Sequence, residues 1–329
     1  MAPEPPIVTA PVGSTPSRAN PLIGSLLTLA ALLVFNAVTT PSFFSIQTLN
    51  VNLTQVATIV IVSCGMTLVI ATGGIDLSVG SLMAISGALA PMIFAQSELS
   101  DQPLGVVLGW VVPVLIAGVF GLFNGYLVSR QRIQPIIATL VLFIAGRGIA
   151  QVITNGNLQT FSDAGFQYIG LGRVLGVPFQ VVLMMLVVAL CAWLVRATIF
   201  GRYLLAVGGN ERAARLSGVP VSLVKLAVYG FSGLLAGLAG LIVIAINSSS
   251  DANQVGLNME LDAIAAVAVG GTSLAGGQAR IIGTLLGALI IQLIRYSLLV
   301  KGVPDAAALV VKAAIIVAAV YLQIGSRRP

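Results

Sequence analysis

The sequence predicts an all-α, polytopic integral membrane protein of about ten transmembrane helices, some broken or re-entrant, with both termini cytoplasmic. Three observations carry that prediction. Hydrophobic residues make up 57% of the 329 and charged residues only 8%, with a mean hydropathy of +1.04, whereas soluble domains carry about 25% charged residues. The apolar residues gather into runs of bilayer-spanning length instead of alternating as barrel strands do. Lysine and arginine concentrate in alternate connections, as an inside-positive topology requires.

Residues 1–21 hold Pro3, Pro5, Pro6, Pro11, Pro16 and Pro21 among small polar residues. That composition cannot bury a core and reads as a disordered cytoplasmic tail. It lacks the basic start, short apolar run and cleavage site of a secretory signal. Residues 22–329 form one transmembrane domain, with apolar segments at 22–40, 51–71, 78–96, 104–128, 135–153, 177–198, 221–247, 261–275, 281–300 and 306–323. The 261–275 segment is short for a full crossing and is read as tilted, re-entrant or part of a broken helix.

Charge orients these segments. The inner connections hold Arg130 and Arg132, then Arg196, Arg202, Arg212, Arg215 and Lys225, then Arg280, and finally Arg327 and Arg328, with Glu211 the only acid. The outer ones hold Glu98, Asp101, Asp163, Asp251, Glu260, Asp262 and Asp305 against Arg173 and Lys301. The chain has no histidine, which removes the usual proton relay and most catalytic metal sites. Cys64 and Cys191 lie inside apolar runs without metal-ligand spacing and read as small buried hydrophobes. Neither a metal nor a nucleic acid is expected as a ligand.

The inner loop at 199–220 carries "AVGGNERAARLSGVPV". Asn210 suits a helix N-cap and Glu211 the positive end of the dipole. Gly218 suits a left-handed C-terminal stop, and Pro220 prevents continuation. The expected element is a helix of about two turns, marginal alone, which docks on a cytoplasmic partner or lies on anionic membrane lipid.

"GGIDLSVG" at 73–80 and "GGTSLAGG" at 270–277 align without a gap, which hints at internal repetition. Gly73, Gly74, Gly270 and Gly271 suit helix C-termini, and Asp76 and Ser273 hold equivalent positions where a side-chain oxygen can cap the next helix. Each motif therefore reads as a helix break, and the freed ends either are satisfied locally or line a path for solute. For such a path the polar residues within or beside spans are candidates: Asn124, Asp76 and Arg147, with Asn52 and Gln55 early in the second span, and Asp251, Asn253 and Glu260 near the outer mouth. Arg147 has two further roles open to it, snorkelling to the interface or pairing with Glu260 or Asp262, and Asn124 can also hydrogen-bond between helices.

Four stretches carry a resemblance: "GMTLVIATGGIDLSVGSLMAISGA", "GLFNGYLVSRQRIQPIIATL", "AVGGNERAARLSGV" and "ELDAIAAVAVGGTSLAGGQARIIGTLLGALI". From about residue 50 onward the chain resembles the ABC-transporter permeases that import ribose, xylose, arabinose and related sugars. "SDANQVGLNMELDAI" and "IATLVLFIAGRGIAQVIT" resemble the galactofuranose type more than the ribose type. The resemblance implies a subunit of the bacterial inner membrane. Its implied partners are a second, related permease chain, a periplasmic sugar-binding protein and a cytoplasmic ABC ATPase, which alone uses ATP and magnesium. It places Gly208, Gly209, Asn210, Glu211, Arg212, Ala213, Ala214 and Arg215 at the ATPase contact.

The residues agree on that division of labour. No G-x-x-x-x-G-K-[ST] phosphate loop occurs in the chain, so nucleotide chemistry is expected on another subunit and no cofactor on this one. The alternative is an ion-coupled secondary transporter of a small polar solute, which Asp76 and the basic span residues permit. An intramembrane enzyme finds no catalytic set.

Overall fold

A computed structural model describes residues 21–95 and 102–304, together with 307, 309–311 and 313–314. All but the last residue of the expected tail at 1–21 and most of the expected span at 306–323 lie outside the described residues, as do Glu98, Asp101, Asp305, Lys312, Arg327 and Arg328; Pro21 itself opens the first helix.

Seven helices among the described residues are long and apolar enough to cross a membrane: α1 (Pro21–Thr39), α2 (Ile46–Ala71), α4 (Pro103–Ser129), α5 (Pro135–Ile153), α7 (Phe179–Ala197), α10 (Val221–Asn247) and α12 (Ile281–Val300). Between them lie the shorter α3 (Val79–Phe94), α6 (Ala164–Leu171), α8 (Ile199–Gly209), α9 (Glu211–Leu216) and α11 (Met259–Val269). Two minimal antiparallel ribbons complete the chain. Strand β1 (Gln159–Thr160) pairs with β4 (Ser249–Ser250), and β2 (Arg173–Val174) with β3 (Val177–Pro178).

Three of these elements correct the sequence expectation. The loop at 199–220 is mostly helical: α8 starts where the Thr198 hydroxyl accepts the Gly201 N–H, at 3.2 Å. The α6 helix, capped by Asp163 on the N–H of Phe166, lies in the connection between the expected segments at 135–153 and 177–198, where the sequence assigns no helix. The α2 helix begins at Ile46, outside the apolar run, because Ser45 caps it through the N–H of Thr48.

Helix α2 is the axis of the bundle. Every residue from Val56 to Ala71 is buried, under α10, α11, α12 and α7. The most extensive helix pair is α4 with α10, and small residues make it close. A Cβ on Gly121 would meet the Tyr229 carbonyl, and lies 3.1 Å from Gly233 Cα. A Cβ on Gly233 would in turn meet the Ala117 carbonyl. Without a hydrophobic driving force between helices in lipid, such backbone approach supplies the packing. Polar side chains add cross-links: Ser81 Oγ donates to Leu142 O at 2.9 Å, Ser86 Oγ to Gly237 O at 3.0 Å, and the Thr67 and Thr284 hydroxyls share a bond of 2.8 Å.

The connections sort to two ends. At one, Gly277 N–H bonds Ala71 O at 3.0 Å and Ser222 Oγ bonds Ser129 O at 3.4 Å. This end carries the basic connections around residues 130, 202–225 and 280. At the other, Phe161 N–H bonds Ser248 O at 3.2 Å and Gln167 Nε2 bonds Ser248 Oγ at 2.7 Å.

Candidate functional site

The two glycine motifs end their helices in one way. After α2, Gly73 takes φ +81°, its N–H bonds Ile70 O, and the Gly74 N–H bonds Val69 O. After α11, Gly271 takes φ +81°, its N–H bonds Ala268 O, and the Thr272 N–H bonds Val267 O. Both are Schellman stops, in which a left-handed residue turns two N–H groups back onto otherwise orphaned carbonyls. Gly270 is thus the last, right-handed cap residue, with φ −68°.

The side-chain oxygens that follow do not cap the next helix. Asp76 Oδ1 accepts the N–H of Ser78 at 3.0 Å and its hydroxyl at 2.6 Å. Ser273 Oγ accepts the N–H of Ala275 at 3.3 Å. Each closes a local turn two residues on, and the helices start only at Val79 and Ile281. The second start is late because Gly276 and Gly277 both have positive φ, +87° and +76°. The two copies are also out of phase: the left-handed glycine precedes the turn-forming oxygen by three residues in the first and by two in the second.

Asp76 lies in a buried polar cluster. Its Oδ2 accepts Ser232 Oγ–H from α10 at 3.0 Å, and Asn124 Nδ2 of α4 donates to Ser78 Oγ at 2.8 Å. Asp76, Ser78, Asn124 and Ser232 are all shielded from solvent. This arrangement ties α3, α4 and α10 to the break and satisfies the carboxylate with three donors.

Both breaks meet the end of α8. A Cβ on Gly208 would collide with Ala71 O and sit 2.5 Å from Gly277 N. A Cβ on Gly276 would lie 3.0 Å from both Gly208 O and Gly73 N. Backbone from residues 71–73, 208 and 276–277 therefore meets at van der Waals distance, and only glycine permits it.

Beyond this junction the chain turns outward into α9. Asn210 Oδ1 caps it through the Ala213 N–H at 3.0 Å, and Gly218, with φ +80°, stops it. Glu211 accepts from Lys225 of α10 at 2.7 Å and from Arg215 at 3.0 Å. The Lys225 ammonium, aided by Arg215, holds the Glu211 carboxyl below its ordinary range despite some burial. Gly209, Arg212, Ala213, Arg215 and Leu216 are exposed, Leu216 at 90%, while Ala214 is buried against the body.

The outer candidates form a separate group. Arg147 Nη1 donates to the carbonyls of Ala252 at 2.8 Å and Val255 at 2.6 Å, so it holds the loop before α11. Asp251 Oδ1 accepts the Asn253 N–H at 2.8 Å, and Asn253 Oδ1 accepts Gln151 Nε2 at 2.7 Å. Glu260 opens α11, buried close under α3: a Cβ on Gly80 would sit 2.6 Å from its Oε2. The Asp76 and Asn124 cluster and this outer group do not meet. Sequence reasoning missed the meeting of Gly208, Gly276 and Ala71, for which the runs of paired glycines were the only signal.

Comparison with known proteins completes the picture. A family model described as the permease component of branched-chain amino acid transport systems matches residues 49–320. The ribose import permease protein of Escherichia coli strain K12 is 43% identical over 306 residues, 91% of this chain and 92% of the relative. The galactofuranose transporter permease protein of the same strain is 42% identical over 272 residues, 82% of this chain and 78% of the relative. The L-arabinose ABC transporter permease protein of Azospirillum brasilense is 34% identical over 281 residues, 85% and 81% of the two chains. No solved structure matches. The ribose and galactofuranose relatives stand so close in identity that the comparison does not choose between their sugars.

Proposed function

This chain belongs to the permease family of ABC importers, and from that premise we propose that it carries a monosaccharide inward while a separate ATPase subunit pushes on the exposed α9 helix. The chain is a membrane permease subunit of a sugar importer; the sugar, the partners and the contact residues are the proposal. The observation that carries it is the glycine junction. Gly208, in the last turn of α8, lies directly against both helix breaks, Gly209 beside it is exposed, and α9 projects from that end with Arg212, Ala213 and Leu216 exposed. A displacement of α9 is thereby delivered to residues 71–73 and 276–277 without an intervening side chain.

In this reading ATP and magnesium act on the ATPase alone. A second, related permease chain completes the passage, and a periplasmic binding protein delivers the sugar to the acidic outer side. Ten crossings, counting one at 306–323, put both termini in the cytoplasm, and the membrane is the bacterial inner membrane. The sugar is galactofuranose or a pentose or hexose of similar size. Conformation changes by alternating access, with the breaks after α2 and α11 as the bending points.

The test is assembly. Gly209 and Ala213 are exposed, and a Cβ on Gly209 would meet nothing within 4 Å, so Gly209→Trp and Ala213→Trp leave the fold intact. Both are expected to abolish co-purification with the ATPase. Normal assembly of both variants, or uptake driven by a proton or sodium gradient without ATPase, would sink this reading.

A further inference from the structure

At its outer end α2 leaves the shelter of the bundle. Residues 56–71 are buried all round, but Gln47, Val51 and Gln55 are exposed and Asn50 and Thr54 half-buried. Spaced three, four, seven and eight apart, Gln47, Asn50, Val51, Thr54 and Gln55 share one face of the helix. That face borders an open cavity of about 710 Å³, which Arg173 of β2 and Ile246 of α10 also line. Polar residues on a membrane helix face water or protein, not lipid, and the volume falls within the range of about 300–1,000 Å³ usual for small-ligand sites.

The floor of the cavity is braced from behind. Gln292 of α12, 2% exposed, donates its Nε2 to Gln55 Oε1 at 2.7 Å and Asn52 Oδ1 at 3.4 Å. Gln180 of α7, 1% exposed, donates its Nε2 to Thr54 Oγ1 at 3.0 Å. Among the described residues, the side-chain carbonyl oxygens of Gln180 and Gln292 stay buried without a partner. Burying a carboxamide half-satisfied is costly, and what it achieves here is orientation. With Gln55 Oε1 already accepting, the Gln55 amide N–H groups are left to donate elsewhere, and Thr54 Oγ1, already an acceptor, is left its O–H.

We propose that this cavity is a contact site for a neutral monosaccharide on its way through the permease, which deepens the function proposed above and rests on it. Asn50 and Gln47 each offer a donor and an acceptor, as a hydroxyl requires, and Gln55 adds its amide donors. Ile46, Val51 and Ile246 supply an apolar patch for the C–H face of a sugar ring. No carboxylate lines the cavity, so the α-ammonium of an amino acid finds no counter-charge there. None of Asp76, Asn124, Arg147, Asp251, Asn253 and Glu260 borders this space.

The experiment uses the assembled importer in proteoliposomes, with D-ribose, L-arabinose, D-fructose and D-galactofuranose as probes and L-leucine as the amino-acid control. Asn50→Cys is labelled from outside with a membrane-impermeant maleimide; Cys64 and Cys191 are buried and do not interfere. The transported sugar is expected to slow labelling of Asn50→Cys several-fold, with leucine inert, and to leave Leu49→Cys on the neighbouring flank unchanged. At equal yield of assembled complex, Gln55→Leu is expected to reduce uptake by about tenfold, the equivalent of one good hydrogen bond. Unchanged labelling of an Asn50→Cys importer that still transports the sugar, protection by leucine, or full uptake by Gln55→Leu each overturns the cavity site alone. No ATP-dependent uptake of any probe by the wild type overturns the function reading, and this site with it.

Discussion

Gly277 donates its backbone N–H to the carbonyl of Ala71 at 3.0 Å, so the two helix breaks are bonded to each other across the bundle. The end of α8 lies on the same carbonyl. Three segments distant in sequence therefore share one backbone contact, and its tolerance for added atoms is measurable.

Gly208→Ala places a methyl group against Ala71 O and Gly277 N. Overpacking of this kind costs about 1–3 kcal/mol, and the thermal midpoint of the solubilised protein is expected to fall accordingly. Gly209→Ala, one residue on, meets nothing within 4 Å and is expected to leave the midpoint unchanged. Equal midpoints for the two variants would remove the junction from the account.

Asp76→Asn keeps one oxygen for Ser78, and the Ser232 hydroxyl can turn to accept from the new amide, so stability is expected to change little. Asp76→Ala strands the Ser78 and Ser232 hydroxyls in a dry interior and is expected to cost several times more, at about 1–3 kcal/mol per unpaired group. Thermal unfolding separates the two. If Asp76→Asn folds and assembles but carries no sugar, the charge has a role beyond holding the break.

Leu216 is 90% exposed on a helix too short to be stable alone. Leu216→Ser and Arg212→Ser remove apolar and cationic surface without touching the body of the permease. Both are expected to weaken ATPase association while expression and membrane insertion stay normal. Retained association would move the contact elsewhere.

The packing of α9 on α10 through Glu211 and Lys225 is expected to loosen in acid. Lys225 and Arg215 hold the folded-state value of Glu211 below its unfolded value of about 4.3. A carboxyl lowered on folding contributes its full stabilisation above the unfolded value, and the contribution is lost as pH falls through the folded one. Hydrogen exchange across 211–217 should rise only below about pH 4.5, and Glu211→Gln should show the raised exchange at every pH. Because Glu211 is 42% exposed, solvent screening keeps the effect modest.

Close helix contact gives a further contrast. Gly233→Ala drives a methyl into the Ala117 carbonyl, whereas a Cβ at Gly148 finds nothing within 4 Å. The first is expected to destabilise by about 1–3 kcal/mol. The second is expected to stabilise α5 by about 0.5–1 kcal/mol through its reduced backbone freedom. Unfolding midpoints of the two variants should move in opposite directions.

Local chemistry made much of this molecule readable. Asn210 and Gly218 bracket α9 because capping is decided by a few neighbouring atoms, and the apolar runs mark α4, α5, α7, α10 and α12 to within a few residues. Hydropathy misplaced the start of α2, since Gln47, Asn50 and Asn52 are polar, yet the Ser45 cap and helical backbone are indifferent to that. It passed over α8 because Arg202 and three glycines look like loop. The shared Gly-Gly of the two motifs suggested matching caps, and the stops do match, but one residue fewer separates glycine from turn in the second copy. The meeting of Ala71, Gly208 and Gly277 was out of reach, because no local pattern encodes which backbone a missing Cβ makes room for.

The burial of α2 has a consequence for how the chain is made. When residues 46–71 leave the ribosome, α7, α10, α11 and α12, which later sheathe them, have not been synthesised. Lipid must hold this segment alone until they arrive. The apolar side chains that prevail on every flank of residues 56–71 answer to that interval, whereas the small Gly65 answers to its end, since its Cβ would come within 3.0 Å of Ser232 Cα once α10 closes over it. The central helix is composed for a solvent that the finished permease withholds from it.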